Sequence, residues 1–186
     1  MFEQIAASDG VAFASPTYVF GVSGWMKVFL DRFGFVCHRP RFFGKTFSSI
    51  GTQGFFGASS ARNHLDLVGQ ALGFNGVKGI CLTALDPPTE REERRMRKAI
   101  ARLTRRFHDR LAQPAYPVPS LFKLLMFRIG RTQIRRALTD ASRDFTYYRD
   151  KGWFDADYYY PVRLGPMKKI AGHLFDVAGA KLAANR

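Results

Sequence analysis

The sequence predicts an α/β fold, with a doubly wound parallel sheet between helices, followed by a helical C-terminal extension. Three short apolar segments bounded by Gly or Pro alternate with segments in which apolar residues recur every three or four positions. The first pattern is typical of buried strands and the second of helices. Because strands and helices alternate, the strands are expected to run parallel. The 186 residues, 46% of them hydrophobic, are enough for one domain with a packed core.

The first strand is predicted at residues 11–15, where small and apolar residues run without a polar break. We expect this strand to be buried on both faces, as strands of parallel sheets are. The loop of residues 15–21 follows at the carboxyl end of the strand, where open α/β sheets bind ligands. A helix over residues 23–33 is predicted by one apolar stripe, formed by Trp25, Met26, Phe29, Leu30 and Phe33.

Two further strands and two further helices follow the same pattern. A second strand is predicted at residues 45–51, and its loop extends through residues 52–57. Ser59 or Ser60 is expected to cap a helix that ends at Gly73. A third strand is predicted at residues 77–83. Thr89 and Glu92 have the spacing of a capping box, which opens a long basic helix to about residue 113.

A proline-rich stretch at residues 114–119 marks a predicted domain boundary. We expect an α/β domain at residues 1–113 and a helical, aromatic-rich extension at residues 114–186. Within the extension, helices are predicted at residues 121–138 and from about residue 166 to 184, with a tyrosine-rich segment between them.

Residues 9–32, DGVAFASPTYVFGVSGWMKVFLDR, resemble the flavodoxin-like NAD(P)H-dependent FMN reductase family. In that family a strand ends in a similar S-P-x-Y loop, which is followed by G-x-M-K-x-F-L-D-R. The tyrosine-rich segment around Gly152 and Trp153 is similar to a tail found in some members. The resemblance implies a flavodoxin-like three-layer fold, FMN as cofactor and NAD(P)H as electron donor.

In this family the loop after the strand lies against the flavin ring, so the resemblance implies a cofactor site where two loops converge. Aromatic and apolar side chains would contact the ring, backbone N–H groups would donate to its polar atoms, and glycines would allow close approach. No catalytic side chain and no metal site are predicted, since the four histidines are scattered. The predicted cofactor-binding residues are Ser15, Pro16, Thr17, Tyr18, Val19, Phe20, Gly21, Thr52, Gln53, Gly54 and Gly57.

The family's sheet has five parallel strands in the order 2-1-3-4-5, and a loop after the first strand binds the FMN phosphate. The sequence has no counterpart for that strand and loop, so we expect an N-terminally truncated domain with strands 3–5 of the family. The strand at residues 11–15 would then lie on an edge. The extension or a second chain could cover it, the reading frame could start upstream, or the gene could be a degraded remnant. We favour an N-terminally shortened product of a longer ancestor.

The predicted function is an FMN-dependent NAD(P)H oxidoreductase that transfers electrons to a small-molecule acceptor, as flavin and quinone reductases do, impaired by loss of the phosphate loop. The alternatives are a flavin-free remnant or a basic module that binds nucleic acid or an acidic membrane surface. The net charge is +14, and residues 86–136 carry 14 basic and 5 acidic side chains. The positive electrostatic potential around such a segment attracts anions. SLFKLLMFRIGR and PMKKIAGHLFDVAGAKL are both amphipathic and basic.

A homodimer is expected, because members of this family usually close the flavin site with a neighbouring subunit. Trp153 and the tyrosines at residues 158–160 are suited to such an interface. The two cysteines, Cys37 and Cys81, lack a C-x-x-C spacing and are expected to be buried thiols. Together with the absence of a signal-peptide pattern, they predict a cytoplasmic protein.

Overall fold

The centre of the first part of the chain is a mostly parallel sheet, as the alternation of strands and helices predicts. The computed structural model describes residues 1–184 and separates them into a unit at Met1–Ala115 and a second unit that begins at Tyr116. In the first unit β1 (Gly10–Tyr18) pairs in parallel with β3 (Thr46–Gln53). The other side of β3 pairs in parallel with β4 (Asn75–Gly76) and β5 (Ile80–Thr83).

Helices lie on both faces of this sheet. One face is covered by α1 (Phe2–Ala7), α2 (Gly24–Asp31), α3 (Gly34–His38) and α4 (Ala58–Ala71). On that face Phe13 of β1 and Phe47 of β3 pack edge to face, with ring centroids 5.0 Å apart. On the other face α5 (Glu90–Leu111) reaches β1, where the Phe107 ring lies against Gly10. The predicted three-layer α/β architecture is therefore confirmed.

The expectation that the first strand is buried on both faces is wrong. Phe13 and Ser15 are buried, but Ala12, Ala14 and Pro16, which point to the opposite face, are exposed. The physical reason is that α5 packs against β3 and β5 and reaches β1 only at its start. The strand is also longer than predicted and includes Pro16, whose missing N–H is tolerated where the strand has no full-length partner on its outer side.

Several element boundaries differ from the prediction for identifiable reasons. The predicted helix at residues 23–33 is interrupted after Asp31, and α3 follows as a separate short helix. The predicted strand at residues 77–83 begins only at Ile80. Before it, Gly79 is pressed against the backbone of Ser49, and the two-residue β4 pairs with the start of β3.

Two helices begin at N-caps formed by side chains close to them in the sequence. The Ser23 side chain accepts a hydrogen bond from the Met26 N–H and caps α2. Thr89 and Glu92 form the predicted capping box of α5. The prediction that Ser59 or Ser60 caps the next helix is wrong. Gly57 is the N-cap of α4, and the Gln53 side chain, five positions before Ala58, accepts from the first helical N–H, that of Ala58.

The second unit contains α6 (Leu121–Ala137), α7 (Arg143–Asp150) and α8 (Pro166–Ala184). Its aromatic residues form a core in which Trp153 and Tyr158 are buried, so the expectation that these two side chains form an interface is wrong.

Cys37, in the first unit, is exposed rather than buried. Among residues 1–184, no helix is both long and apolar enough to cross a bilayer.

Candidate functional site

A cavity of about 360 Å³ lies at the edge of the sheet where β1, β3 and β5 end. Because these strands are parallel, their carboxyl ends meet at one edge, and the loops after them converge there. The loops after β1 and β3 are the two that the sequence predicts to form a site. The cavity is lined by Pro16, Thr17, Tyr18, Thr52, Gln53, Gly54, Leu82, Ala84 and Met96.

The first loop is a tight hairpin in which Tyr18 pairs with Gly21 of β2 (Gly21–Val22). Its two turn residues, Val19 and Phe20, have φ angles of 49° and 63°. In a two-residue hairpin turn of type I′ both central residues have positive φ, and this conformation is costly for β-branched Val. Val19 is 95% exposed, so its side chain contributes no buried contacts that would offset this cost.

The second loop holds the hairpin in place. Gly57, with φ of 103°, lies so close to Phe20 that a Cβ atom there would be 3.1 Å from the Phe20 ring. The Phe20 and Phe56 rings are also near each other, with centroids 5.9 Å apart. Glycine is therefore required at position 57 both for its backbone conformation and for the close approach of the two loops.

Two buried or partly buried polar side chains give the loops their shape. The Ser15 Oγ accepts from the Ser23 N–H at 2.9 Å and donates to the Pro16 carbonyl at 2.8 Å, which ties the end of β1 to α2. The Gln53 amide nitrogen donates to Thr83 Oγ1 at 2.8 Å and to the Phe55 carbonyl. Together with the cap on Ala58, these bonds connect β3, β5 and α4.

The cavity is polar at specific points and carries no charge. None of its lining residues is Asp, Glu, Lys, Arg or His. Pro16, Leu82 and Met96 provide apolar walls. The Thr17 Oγ1 is buried and has no hydrogen-bond partner among the described residues. This set fits a neutral aromatic ring with polar edges. It provides no cationic side chain for a phosphate.

The eleven predicted site residues separate into two groups. Of these residues, Pro16, Thr17, Tyr18, Thr52, Gln53 and Gly54 line the cavity together. Ser15, Val19, Phe20, Gly21 and Gly57 shape or brace the loops and are outside the lining.

Sequence reasoning missed three lining residues, Leu82, Ala84 and Met96. The signal for Leu82 and Ala84 was present, because Leu82 is near the end of the third predicted strand and Ala84 directly follows that strand, so both must lie at the same edge. Met96 is on α5, and only the packing of that helix brings it to the cavity.

The loops that form the cavity also carry exposed apolar side chains. Phe55 and Phe56 follow the cavity residue Gly54, and both are about three-quarters exposed. Together with the neighbouring exposed apolar residues, they form a surface that we call the apolar rim, which consists of Tyr18, Val19, Phe20, Phe55, Phe56 and Leu85. Contiguous exposed apolar residues of this kind mark interaction surfaces. Within residues 1–184, no cluster of three or more His, Cys, Asp or Glu side chains could hold a metal ion.

Comparisons with known proteins place the cavity within a family match. Residues 1–84 match the sequence model of the family described as NADPH-dependent FMN reductase. The structure is similar to that of a flavodoxin, WrbA-like protein from Agrobacterium tumefaciens, with 20% identity and a TM-score of 0.47, over 59% of this chain and 72% of that chain. No curated protein sequence matches the chain.

The family match includes both loops of the cavity, β1, β3 and β5, and every lining residue except Met96. The match implies FMN as cofactor and NAD(P)H as electron donor. The cavity, whose lining carries no charged side chain, fits the aromatic ring of FMN. Over residues 1–84 of its 186 residues, the chain is therefore similar to the NADPH-dependent FMN reductase family.

Proposed function

We propose that this protein is an FMN-dependent NAD(P)H oxidoreductase that passes electrons to a small-molecule acceptor of the flavin or quinone class. The observation that carries the proposal is that Tyr18 and Gly54, on separate loops of the family-matched segment, line one cavity. That cavity lies at the carboxyl edge of a parallel sheet, which is where open α/β folds bind their ligands.

The residues of the cavity have distinct roles in this proposal. Pro16, Leu82 and Met96 exclude water from the faces of the bound ring. Tyr18 contributes aromatic surface next to the ring. When bound, FMN supplies the hydride and electron transfer chemistry, so the cavity needs no acidic or basic side chain.

We also propose that the cavity binds the ring of FMN without a dedicated site for its phosphate. The lining has no cationic side chain, and charge-assisted hydrogen bonds to a phosphate would each contribute about 1.5–3 kcal/mol. The protein should therefore bind FMN more weakly than a reductase with a complete phosphate loop, and activity should be impaired at low FMN concentration.

A comparison of FMN with riboflavin, which lacks the phosphate, tests both parts of the proposal. Flavin fluorescence would be titrated with the purified protein, and NADPH oxidation would then be followed with each flavin. We expect both flavins to bind, with affinities that agree within about a factor of three. A much tighter FMN complex would contradict the missing phosphate site. Failure of both flavins to bind, or binding without NADPH oxidation, would contradict the proposed oxidoreductase.

The apolar rim supports a further part of the proposal, a homodimer that covers the cavity mouth. Four of its residues, Val19, Phe20, Phe55 and Phe56, extend from the two loops that form the cavity. A second copy seated there would bury these side chains and shield the bound ring from water. This surface replaces the buried residues Trp153 and Tyr158 as the proposed dimer contact.

A further inference from the structure

One face of α8, in the second unit, packs closely on α6 by means of small residues. Gly172 lies against the Arg128 guanidinium, and a Cβ atom at Gly179 would be 3.1 Å from the Ile129 backbone. Asp176, between the two glycines, forms ion pairs with Arg128 at 2.9 Å and with Arg131 at 2.8 Å. The face of α8 that carries these three residues is therefore fixed against α6.

The opposite face of α8 carries large apolar side chains that are exposed. Met167, Ile170, Leu174 and Val177 recur every three or four residues, so they form one stripe along the helix. Their exposed fractions are 82%, 63%, 61% and 44%. We call these four residues the α8 stripe. An exposed stripe of this length marks an interaction surface.

The charges on α8 complement an anionic partner. Its single acidic residue, Asp176, faces α6 and is neutralised there by two arginines. The other charged residues of the helix are Lys168, Lys169 and Lys181, all basic. Lys168 donates to the Pro119 carbonyl at 2.8 Å, whereas Lys169 and Lys181 are exposed, so α8 presents two exposed cations and no exposed, unpaired carboxylate.

A basic groove continues the α8 stripe. It has a volume of about 740 Å³ and lies between α6 and α8, with Phe154, Ala180 and Ala184 among its apolar walls. Arg136 and Lys181 provide positive charge along it, whereas Arg135 is paired with Asp155, and Asp176, which also lines the groove, is paired with Arg131. Val177 belongs to both the stripe and the groove. An apolar strip next to a cationic groove matches the two layers of a lipid surface, the acyl chains and the anionic headgroups.

We propose that α8 and the basic groove bind the surface of an anionic lipid bilayer. The α8 stripe enters the boundary between headgroups and acyl chains, and Arg136 and Lys181 contact the headgroups. α8 lies in the plane of the interface, since none of the described helices is apolar enough to span a membrane. The inference does not depend on flavin binding, because it concerns residues outside the family match.

Two other occupants fit the surface less well. Nucleic acid would leave the four large apolar side chains without a partner, because protein surfaces that bind nucleic acid are polar. A parallel pairing with a second copy of α8 would bring Lys181 and Lys169 near their own counterparts, and like charges across an interface are unfavourable. A bilayer with anionic headgroups satisfies the apolar residues and the charges together.

Vesicle co-sedimentation of the full chain tests the proposal. The probes are vesicles of phosphatidylcholine mixed with phosphatidylglycerol, and vesicles of phosphatidylcholine alone. We expect binding to the anionic vesicles and little binding to the neutral ones. Lys181→Gln and Arg136→Gln should each weaken binding about fivefold, because each cation near an anionic surface contributes about 1 kcal/mol. The matched controls, Arg105→Gln and Arg106→Gln on exposed positions of α5, should bind as the unsubstituted protein does.

The apolar contribution is tested with Leu174→Glu. This residue is 61% exposed, so the substitution should leave the fold intact, and it should reduce vesicle binding by about tenfold or more. Leu67→Glu on α4, where the leucine is 59% exposed, is the matched control and should have no effect. Equal binding to both vesicle types, equal effects of the two Leu→Glu variants, or a dimer that Leu174→Glu dissociates without any vesicle binding would each overturn the proposal.

Discussion

Tyr18 and Gly54 come from loops that follow different strands, yet both line one cavity at the carboxyl edge of the sheet. Their position follows from the register of the parallel strands, in which Pro16 pairs with Thr52 and Thr52 pairs with Leu82. The strands therefore end level with one another. This arrangement makes the ends of β1, β3 and β5 a single site rather than three separate loops.

The contact between Gly57 and Phe20 predicts that Gly57→Ala destabilises the first unit. The new methyl group meets the Phe20 ring, and the positive φ is unfavourable for alanine, so we expect a loss of about 1–3 kcal/mol. Urea unfolding measures the change. Gly24→Ala is the control, because Gly24 has ordinary φ and nothing within 4 Å of a new Cβ, and it should be neutral or slightly stabilising. An unchanged midpoint for Gly57→Ala would contradict the described fit of the loops.

The apolar rim predicts a dimer that Phe55→Glu combined with Phe56→Glu dissociates. Burying each ring contributes about 1.5–3 kcal/mol, so their loss together with two new charges should weaken association by at least about a hundredfold. Sedimentation velocity over a range of concentrations measures this. Leu67→Glu, an exposed leucine on the same unit, should leave the dimer intact. A monomeric unsubstituted protein would show that the rim has another role.

The ion pairs of Asp176 predict a strong effect of Asp176→Asn on the second unit. The Arg128 and Arg131 side chains are about 10% exposed and would lose a charged partner, which typically costs about 3–5 kcal/mol. Thermal unfolding measures this. Asp155→Asn removes an exposed ion pair with Arg135 and should cost less than about 1 kcal/mol. Comparable losses in the two variants would mean that the Asp176 pairs are not buried in solution.

Tyr148 predicts that the second unit becomes less stable at alkaline pH. Burial raises the pKa of this phenol to about 12, against about 10 in an unfolded chain. Below pH about 10 both states are protonated, so the stabilisation is complete there. As the pH rises from about 10 to about 12 only the unfolded state ionises, and stability falls by about 3 kcal/mol.

Urea unfolding in a Trp25→Phe background would follow this loss through Trp153, whose ring packs on Tyr148 at a centroid distance of 4.9 Å. Tyr148→Phe should reduce the alkaline loss, and Tyr116→Phe, at an exposed position, should not. Burial also raises the pKa values of Tyr158 and Tyr159. Part of the alkaline loss should therefore remain in Tyr148→Phe. An alkaline loss that is the same in both variants would contradict the burial of Tyr148.

The sequence was sufficient to predict the structure where interactions between neighbouring residues determine it. The helix start near residue 23, the Thr89 and Glu92 capping box and the start of α8 at Pro166 each depend on residues within a few positions. The convergence of the two loops was also predictable, because parallel strands end at one edge.

What the sequence did not reveal depends on contacts between distant residues. The turn at Val19 and Phe20 lacks the Asn-Gly or Gly-Gly pattern typical of such hairpins, and its geometry becomes intelligible only with Gly57 packed against it. The Gln53 side chain, rather than Ser59 or Ser60, accepts from the first N–H of α4, and it is held in place by its hydrogen bond to Thr83 of β5. Trp153 resembles an interface residue in sequence, but its NH group bonds to the Tyr159 carbonyl inside the second unit.

Flavin titration of Gly54→Val tests the central proposal most directly. Gly54 has ordinary φ, and a Cβ there would approach only the Leu85 side chain, at 3.6 Å, so valine should fill part of the cavity without destabilising the fold. We predict that the unsubstituted protein quenches FMN fluorescence and that Gly54→Val, at unchanged thermal stability, binds at least about tenfold more weakly. Gly165→Val, with open space around it, should bind normally. Equal FMN affinity in the unsubstituted and Gly54→Val proteins would contradict a flavin site between these loops.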